Sequence, residues 1–519
     1  MSIIRLTIYT STVTLEQLSD EAVPIIEHII KKYSIFKREF NIRTKKSYFI
    51  LDRSYYAYVK ATGLYHFNIN SIEHIFSILR YHRLSREDFE LIHKPNETAN
   101  IKVKFKVTDG YKLRGYQGKY VKRITESIKL ENYPIEMINR LVDLETGRGK
   151  TIIAAFALLK LGLRFGVIVL PKYIDKWIGD ITKLTDITEE EIFVVQGGSS
   201  IDELVRMVDE VGIKKLKYRA FIFSNKTLQL YIKDYMSVDD LDEFNYDINP
   251  MDLMSHIGIS TLLNDETHQE FHSIFIMLCF FNISHFVGLS ATLDTHDSKL
   301  RQMYDLLFPG NGRISNIAEF NQYINVIAVQ YYVDNPKRLK HRTNKGYSNI
   351  LFEQSIMKNN IALRGYIEMI IYGINNYYLD RAEEGDKCLI FCTTIDLCNI
   401  VKNYIEKQYP NKDIRTYTAD DPYENILEAD ITVSTFQSSG TALDIPKLIT
   451  CLQTVNMGSM QANLQSIGRL RDIGKHVRYI YFYANNIPSH RKYHFQRMEL
   501  FRNKAASYGT VMYKDKLKT

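Results

Sequence analysis

The sequence has little of what extracellular and membrane-spanning proteins need. Its 519 residues include five cysteines and no C-x-x-C pair, so reduced thiols are expected instead of a disulfide framework. The N-terminus, MSIIRLTIYTSTVTLEQLSDE, lacks the basic segment and apolar run of a secretory signal. The longest apolar stretches, such as IFIMLCFF at 274–281, are far shorter than the roughly 20 residues that span a bilayer. We therefore expect a cytoplasmic protein with no membrane partner.

A strong excess of charge of one sign is also absent. The chain has 67 Lys and Arg residues against 60 Asp and Glu residues, a net charge of +7, which permits a polyanionic partner without requiring one. Hydrophobic residues make up 45% and charged residues 24%, which is typical of a folded protein. The length exceeds what one ordinary hydrophobic core supports, so two or three domains are expected.

Strand-like and helical segments alternate along most of the chain. Runs such as RFGVIVL (164–170) and RAFIFS (219–224) alternate with helices, and the pattern resumes at KCLIFC (387–392). This alternation is typical of parallel α/β sheets, so we predict two tandem α/β domains after a small α+β domain. The predicted division is 1–105 as an N-terminal accessory domain, 106–315 and 316–488 as the α/β domains, and 489–519 as a basic C-terminal tail.

A glycine-rich turn lies between a strand and a helix in LVDLETGRGKTIIAAFALLKLG. The glycines let backbone N–H groups approach phosphate oxygens, and the helix N-terminus adds partial positive charge. Lys150 would reach the β- and γ-phosphates of ATP, and the Thr151 hydroxyl would ligate Mg²⁺. The template G-x-x-x-x-G-K-[ST] fails only at its first position, where Leu144 stands. The residues predicted to hold the nucleotide are Thr146, Gly147, Arg148, Gly149, Lys150 and Thr151.

A pair of carboxylates follows the strand candidate in GISTLLNDETHQEFH. A phosphate loop needs an acidic residue for the metal and a group that orients water, so Asp265 is predicted to hold Mg²⁺ and Glu266 to act as general base. The same segment contains His268 and His272, whose spacing on a helix could also bind zinc. Zinc hydrolases place the glutamate directly after the first histidine, as H-E-x-x-H, whereas here it is Glu270. This departure argues against a metalloprotease.

These two segments resemble motifs I and II of superfamily 2 DExH helicases, and further segments resemble other motifs in the family's order. They are KLRGYQGKYV (112–121), VLPKYIDKW (169–177), FSNKTL (223–228), GLSATL (288–293), CLIFCTT (388–394), STFQSSGTALDIP (434–446) and QSIGRLRD (465–472). The layout, with a small module before the motor, is most similar to phage and viral recombination-repair helicases of the UvsW type. The resemblance implies RecA-like domains, ATP hydrolysis with Mg²⁺, and movement on nucleic acid.

The resemblance also implies roles for other residues. Gln117 would read adenine with Tyr116 packed on the base, and His268 would face Ser290 or Thr292, or else Gln465. The coupling residues would be Ser290 and Thr292. The nucleic-acid contacts would be Lys172, Thr227, Gly440 and Thr441, and Asp444 would contact the ATP ribose or order its loop.

Motif VI departs from the family pattern. Family members commonly show Q-x-x-G-R-x-x-R, whereas position 472 here is aspartate and the second arginine is Arg471. Arg469 and Arg471 are therefore both candidates to contact the γ-phosphate. Gln465, which fits the family pattern, is a further candidate catalytic residue of the motif. Such an arginine can contribute roughly 10³–10⁵ in rate. Which of the two does so stays open at this point.

The function expected from the resemblance is that of an ATP-dependent DNA helicase or translocase that remodels branched DNA in recombination, repair or replication. An RNA helicase or transcript-release translocase, and an ATP-switched nucleic-acid clamp without unwinding, remain alternatives. A monomer in the cytoplasm, or in the host cytoplasm if the chain is viral, is expected.

Aromatic residues of the N-terminal module offer candidate stacking surfaces. Tyr55, Tyr56, Tyr58, Tyr65 and Phe67 lie in strand-like segments and could stack on bases or wedge a duplex junction. Aromatics at alternating strand positions are more often core residues, so burial is the competing interpretation.

Overall fold

The protein is described here from a computed structural model. The described residues are 2–41, 46–94, 101–129, 136–144, 148–290, 298–315, 322–344, 346–419, 421–439, 445–502 and 504–519. The chain divides into two compact units, Met1–Ala318 and Glu319–Thr519. No helix in the described ranges is both long enough and apolar enough to cross a membrane.

The N-terminal module is a small α+β domain. Its elements are β1 (Ile4–Ile8), β2 (Thr12–Gln17), α1 (Val23–Lys32), β3 (Ser34–Asn41), β4 (Lys46–Ser54), β5 (Ala57–Val59), β6 (Leu64–Asn68), α2 (Ile72–Tyr81) and β7 (Phe89–His93). Five strands form a sheet in the order β5-β6-β2-β1-β7, antiparallel except for the parallel pair β1 and β7. The strands β3 and β4 form a separate antiparallel hairpin.

The next part of the first unit is a parallel α/β domain. Its elements are α3 (Gly115–Thr125), β8 (Ile128–Lys129), β9 (Glu136–Asp143), α4 (Lys150–Leu161), β10 (Phe165–Val169), α5 (Ile174–Leu184), β11 (Ile192–Val195), α6 (Ser199–Val211), β12 (Ala220–Ser224), α7 (Asn225–Ser237), α8 (Pro250–His256), β13 (Thr261–Asn264), α9 (Phe271–Met277), β14 (His285–Ser290), α10 (Ser298–Leu307) and β15 (Arg313–Ile314). The sheet order is β11-β12-β10-β13-β14-β9-β15, all parallel, with β8 pairing antiparallel to β9.

The strands β10 and β12 are buried along their whole length, as expected where helices cover both faces of a sheet. The carboxyl ends of β9, β13 and β14 lie side by side, so the turns that follow them meet at one edge.

The N-terminal module and the first α/β domain share one continuous apolar core. The Asn282 side chain accepts hydrogen bonds from the Thr10 and Ser11 backbone N–H groups at 2.9 and 3.3 Å. The buried His66 ring lies against Phe280, with ring centroids 4.6 Å apart. The module is therefore built onto the domain that carries motifs I to III.

Burial decides the role of several aromatic residues proposed above for stacking. Tyr55 and Phe67 are core residues, as the competing interpretation expected. Tyr56 and Tyr65 are partly buried against the same core. Only Tyr58 of these five is exposed, and its ring packs on Tyr65 at 4.7 Å between centroids.

The second unit is another parallel α/β domain. Its elements are β16 (Ile324–Val333), β17 (Arg342–Thr343), β18 (Gly346–Tyr347), α11 (Asn349–Met357), α12 (Asn360–Ile374), β19 (Lys387–Cys392), α13 (Ile395–Gln408), β20 (Ile414–Tyr417), α14 (Glu424–Glu428), β21 (Ile431–Thr435), α15 (Phe436–Ser439), β22 (Leu448–Gln453), α16 (Met460–Ile467), β23 (Val477–Ala484), α17 (Pro488–Arg502) and β24 (Ser507–Leu517). The sheet order is β20-β21-β19-β22-β23-β16-β24, all parallel. The predicted fold class, two tandem RecA-like domains after a small α+β domain, is confirmed.

The last 31 residues differ from the expected basic tail. Residues 489–502 belong to α17, and β24 adds an edge strand to the sheet by pairing with β16. The helix α17 buries His490, His494, Arg497 and Phe501, whose helical spacing forms one inward face. This face is mostly polar in composition, so its burial could not be recognised from the basic sequence HRKYHFQRMELFRNK.

Candidate ATP-binding site

The turns after β9, β13 and β14 form the candidate site. The Leu144 N–H donates to the Ser290 carbonyl at 3.0 Å, which joins the phosphate turn to the end of β14. The Thr267 N–H donates to the Leu289 carbonyl at 2.9 Å, which joins motif II to motif III. Backbone hydrogen bonds thus hold the three predicted motifs at one edge of the sheet.

The described part of the phosphate turn needs glycine at its last position. Gly149 precedes α4 with φ of +83°, and a Cβ there would lie 2.4 Å from Nε2 of Gln117. Lys150 opens α4, and its Nζ donates to the Leu144 carbonyl at 3.3 Å, so the amine lies back over the turn. Thr146 and Gly147 lie outside the described residues.

Gln117 and Tyr116, predicted to recognise adenine, contact the phosphate turn. The Tyr116 hydroxyl and the Gln117 amide both donate to the Arg148 carbonyl, at 2.9 and 3.2 Å. The Oε1 atom of Gln117 accepts from the Arg114 N–H at 2.8 Å, and the residue is 2% exposed. Both side chains therefore brace the turn from α3, and their role toward adenine stays a prediction.

Asp265 lies in a mostly buried pocket of hydrogen-bond donors. Its Oδ1 accepts from the Glu266 N–H at 3.0 Å, and its Oδ2 accepts from the indole Nε1 of Trp177 at 3.0 Å. Burial is the main cause that raises the pKa of Asp265, and the negative charge of Glu266 raises it further. The positive charges of Lys176 and Lys150 oppose that rise. The contact with Trp177, the only tryptophan in the chain, was not predicted from the sequence.

Lys176 on α5 lies between Asp265 and a second, half-buried carboxylate, Asp180. Its Nζ lies 3.9 Å from Oδ2 of Asp265 and 3.4 Å from Oδ2 of Asp180. Burial raises the pKa of Asp180, and the Lys176 charge opposes it. The face of α5 formed by Lys176, Trp177 and Asp180 therefore surrounds the predicted metal-binding carboxylate.

His268 makes the contact with Ser290 that was expected from the family resemblance. Its Nδ1 lies 2.9 Å from Oγ of Ser290 and 3.3 Å from Oε2 of Glu266. Burial, reinforced by the Lys150 charge, lowers the pKa of His268 to about 4, so the ring is neutral at pH 7. A neutral ring thus lies between the predicted general base and motif III, hydrogen-bonded to Ser290 and in contact with Glu266.

Glu266 itself adopts an uncommon backbone conformation. Its φ is +50°, a left-handed value that costs a non-glycine residue about 1–3 kcal/mol. The hydrogen bonds of Asp265 and His268 on either side hold it there. Backbone strain of this kind often occurs at functional sites.

Motif II and motif III also pack closely through Thr267. Its hydroxyl donates to the Asn264 carbonyl at 3.0 Å, and the side chain is fully buried. A Cβ on Gly288 would lie 2.7 Å from Oγ1 of Thr267. A residue with a Cβ at position 288 would therefore collide with Thr267, so motif III needs glycine here. Thr292 lies outside the described residues.

The histidine pair does not form a zinc site. Residues 265–270 form turns, and α9 begins only at Phe271, so the helical arrangement assumed for the pair was wrong. His268 points to Ser290, whereas Nε2 of His272 lies 3.1 Å from the Ser54 carbonyl of the N-terminal module. Within the described ranges, no group of three His, Cys, Asp or Glu side chains is arranged to hold a metal.

The predicted nucleic-acid contacts of the first unit have different environments. Lys172 lies in the turn before α5, with its Nζ 4.9 Å from the centroid of the Tyr173 ring. Thr227 is buried, and its hydroxyl accepts from the Gly197 N–H at 2.9 Å, so it joins motif Ib to the QGGSS turn. Gly440, Thr441 and Asp444 of motif V lie outside the described residues.

Motif VI lies at the end of α16 in the second unit. Arg469 is 2% exposed, and its charge opposes the rise in pKa that burial causes at Cys451 on β22. Arg471 is half-buried, and its Nη1 donates to the Gly468 carbonyl. Arg497 of α17 fixes α16 by donating from Nε to Oδ1 of Asn463 at 2.8 Å. Gln465 is half-buried on the same helix.

The donor set fits ATP with Mg²⁺. A lysine amine, a threonine hydroxyl and the Asp265 carboxylate lie in adjoining turns, and oxygen ligands are those that Mg²⁺ prefers. Gly149 leaves the backbone close to the helix N-terminus free of a Cβ, which is where phosphate oxygens bind in such turns.

Part of the chain matches a known protein family. Residues 110–295 match the family described as "Type III restriction enzyme, res subunit". The match covers the region from α3 through β14 that contains motifs I to III. No curated protein matches the chain.

Solved structures similar to the chain include Dbp5 and the Hef helicase domain. Dbp5 of S. cerevisiae, bound to RNA and ADP BeF3, is 12% identical and aligns over 78% of this chain and 91% of its own, with a TM-score of 0.47. The helicase domain of Pyrococcus furiosus Hef is 12% identical and aligns over 74% and 98%, with a TM-score of 0.43. The fold assignment itself comes from the strand order of the two parallel sheets.

Proposed function

We propose that the chain is a superfamily 2 motor that hydrolyses ATP in response to nucleic acid and uses the cycle to move along or unwind it. The observation that carries this proposal is the arrangement of motif II. Asp265 is held by indole and backbone N–H groups, and Glu266 contacts a neutral His268 that is hydrogen-bonded to Ser290.

In this proposal each residue of the first unit has a defined task. Lys150 binds the terminal phosphates, and the Thr151 hydroxyl and Asp265 would hold Mg²⁺, which would neutralise phosphate charge when bound. Glu266 orients the attacking water and accepts its proton. His268 contacts both Glu266 and Ser290, so a movement of Glu266 during hydrolysis would be transmitted to motif III. Arg469 or Arg471 stabilises charge that develops on the γ-phosphate.

DNA is the proposed nucleic acid, with branched intermediates of recombination, repair or replication as the preferred substrate. The support is the resemblance of motif order and layout to UvsW-type phage helicases. The proposed division keeps residues 1–105 as an accessory module and 106–315 as the first motor domain. Residues 316–488 and the former tail, 489–519, together form the second.

A substrate panel tests the proposal. ATP hydrolysis and strand separation are measured on single-stranded DNA, duplex DNA, forked DNA and RNA of matched length. We expect stimulation by DNA and the fastest unwinding on forks. Stimulation by RNA alone would instead indicate an RNA helicase, and hydrolysis without strand separation or movement would indicate an ATP-switched clamp. No stimulation by any nucleic acid would contradict the proposal.

A further inference from the structure

We propose that the β3–β4 hairpin is an arm that binds an unpaired nucleic-acid strand. Bases would stack on its exposed aromatic side chains, and its basic side chains would contact phosphates. The inference rests on the proposed function, because it assumes a nucleic-acid substrate for the motor. It assigns a separate binding surface to the N-terminal module.

One face of the hairpin exposes large apolar side chains. Phe36 and Phe40 on β3 alternate with Arg38, and the register places Leu51 and Phe49 opposite Phe36 and Arg38. Phe40 is 61% exposed and Phe49 72% exposed, and neither belongs to the core beneath. Clustered exposed apolar residues of this kind mark binding surfaces.

The opposite face and the overall charge favour a polyanion. This face carries Lys37, Lys46 and the exposed Tyr48, together with Glu39, whose carboxylate lies 3.5 Å from the Lys37 amine. Residues 34–54 contain six Lys and Arg residues and two acidic residues, a net charge of +4 out of +7 for the whole chain. In the described part of the hairpin, 34–41 and 46–54, four of these basic residues stand against both acidic residues, a net charge of +2 beside the exposed aromatic rings. Aromatic rings combined with basic side chains are the combination that binds single strands without sequence preference.

The same charge argues against a second copy of this chain as the occupant. Two hairpins packed face to face would bring two positively charged segments together, which is unfavourable without a counterion. A duplex would also offer phosphates, but its bases are stacked on each other and present no free face to Phe40 or Phe49. An unpaired strand satisfies both the charges and the rings.

The base of the arm is fixed to the ATP-binding domain. The Tyr55 N–H donates to the Tyr33 carbonyl at 2.7 Å, which closes the hairpin at its base. The Ser54 carbonyl lies 3.1 Å from Nε2 of His272, and the Tyr55 ring packs on Phe275 with centroids 6.1 Å apart. Both His272 and Phe275 belong to α9, the helix that follows motif II. The arm is therefore anchored on the helix that begins five residues after Glu266.

The test measures binding of a labelled 20-nucleotide oligo(dT) to the full chain by fluorescence anisotropy. The variant F40A/F49A is expected to bind about tenfold or more weakly, since stacking on one aromatic ring contributes roughly 1–3 kcal/mol per base. The matched control is Y81A, which removes an exposed aromatic residue (75%) from α2 of the same module. It should bind like the native protein, and the melting temperatures of all variants should agree.

A charge variant separates phosphate contact from stacking. R38Q/K46Q is expected to reduce the slope of log Kd against log salt by about 1.4, because each phosphate contact on a single strand contributes about 0.7. The proposed arm would be contradicted if F40A/F49A bound oligo(dT) with unchanged affinity, or if Y81A lost as much affinity. It would also be contradicted if F40A/F49A lost the same affinity for duplex as for single-stranded DNA. A native dimer that dissociates in F40A/F49A, which sedimentation would show, would contradict it as well.

The outcomes distinguish the arm from the proposed function. If F40A/F49A binds normally while nucleic acid still stimulates ATP hydrolysis, the arm is wrong and the motor stands. If F40A/F49A loses strand binding but no nucleic acid stimulates hydrolysis, the arm stands without the motor.

Discussion

At the scale of single residues, the charge state of Asp265 depends on neighbours from a distant part of the chain. Burial and Glu266 raise the pKa of its carboxyl, and donors from α5 act against that rise. The Trp177 indole donates at 3.0 Å, and Lys176 lies 3.9 Å away. A carboxylate must be ionised to bind Mg²⁺, so these α5 side chains position it for that task.

Replacing Trp177 by phenylalanine tests this dependence. W177F keeps an aromatic ring but removes the indole N–H, and a hydrogen bond to a charged group contributes about 1.5–3 kcal/mol. We expect ATP hydrolysis to require roughly tenfold more Mg²⁺, with little change in melting temperature. An unaltered Mg²⁺ titration would contradict the assigned role.

The native protein offers a second readout of the same contact. Because Trp177 is the only tryptophan, its emission reports on the Asp265 environment directly. Emission should change when Mg²⁺ is added with ATP, and much less when ATP is added with EDTA.

His66 predicts a specific pH dependence of stability. Burial lowers the pKa of His66 from 6.5 to about 3, and neither ring nitrogen has a hydrogen-bond partner in the described structure. The unfolded chain therefore binds a proton that the folded chain does not, so stability is full above pH 6.5 and falls as pH drops toward 3. At pH 5 the loss from this group is roughly 2 kcal/mol. H66F should reduce the fall in melting temperature between pH 7 and 5, and an unchanged fall would contradict this.

At the scale of elements, the close contact of motif II with motif III is the most restrictive feature of the site. A methyl group on Gly288 would lie 2.7 Å from Oγ1 of Thr267 and 2.9 Å from Cδ1 of Leu141. G288A should therefore destabilise the protein by about 1–3 kcal/mol and lower ATP hydrolysis by displacing motif II.

A helical glycine in the same domain serves as the control. Gly179 in α5 has no atom within 4 Å of an added Cβ, so G179A should stabilise by about 0.4–1 kcal/mol. Urea unfolding of the two variants measures the difference. Equal stability of G288A and G179A would refute the packing explanation.

At the scale of the whole molecule, the parts predictable from sequence are those encoded locally. The GKT turn lies between a strand and a helix, and DETH follows a strand, so each motif could be recognised without tertiary information. The contacts of Trp177 with Asp265 and of Gln117 with Arg148 join segments 88 and 31 residues apart, and local patterns do not encode them.

The hairpin and the C-terminal residues show the same limit. Alternating aromatics in 55–67 predict strands, but not which side chains the sheet buries. Tyr55 and Phe67 are core residues, whereas Phe40 and Phe49, which were not singled out from the sequence, are largely exposed. Although α17 is rich in basic residues, one of its faces is buried in the second domain, and the basic composition gave no sign of that burial.

The most direct test of the motor is ATP hydrolysis in three single-residue variants, with and without DNA. K150A and E266Q should each lose at least about 100-fold in DNA-stimulated turnover, because the first removes the phosphate-binding amine and the second the general base. E270Q makes the same chemical change four residues further on, where the carboxylate contacts Asn225 and Gln229 outside the site, and it should retain turnover. Undiminished DNA-stimulated hydrolysis in K150A or E266Q would contradict the account.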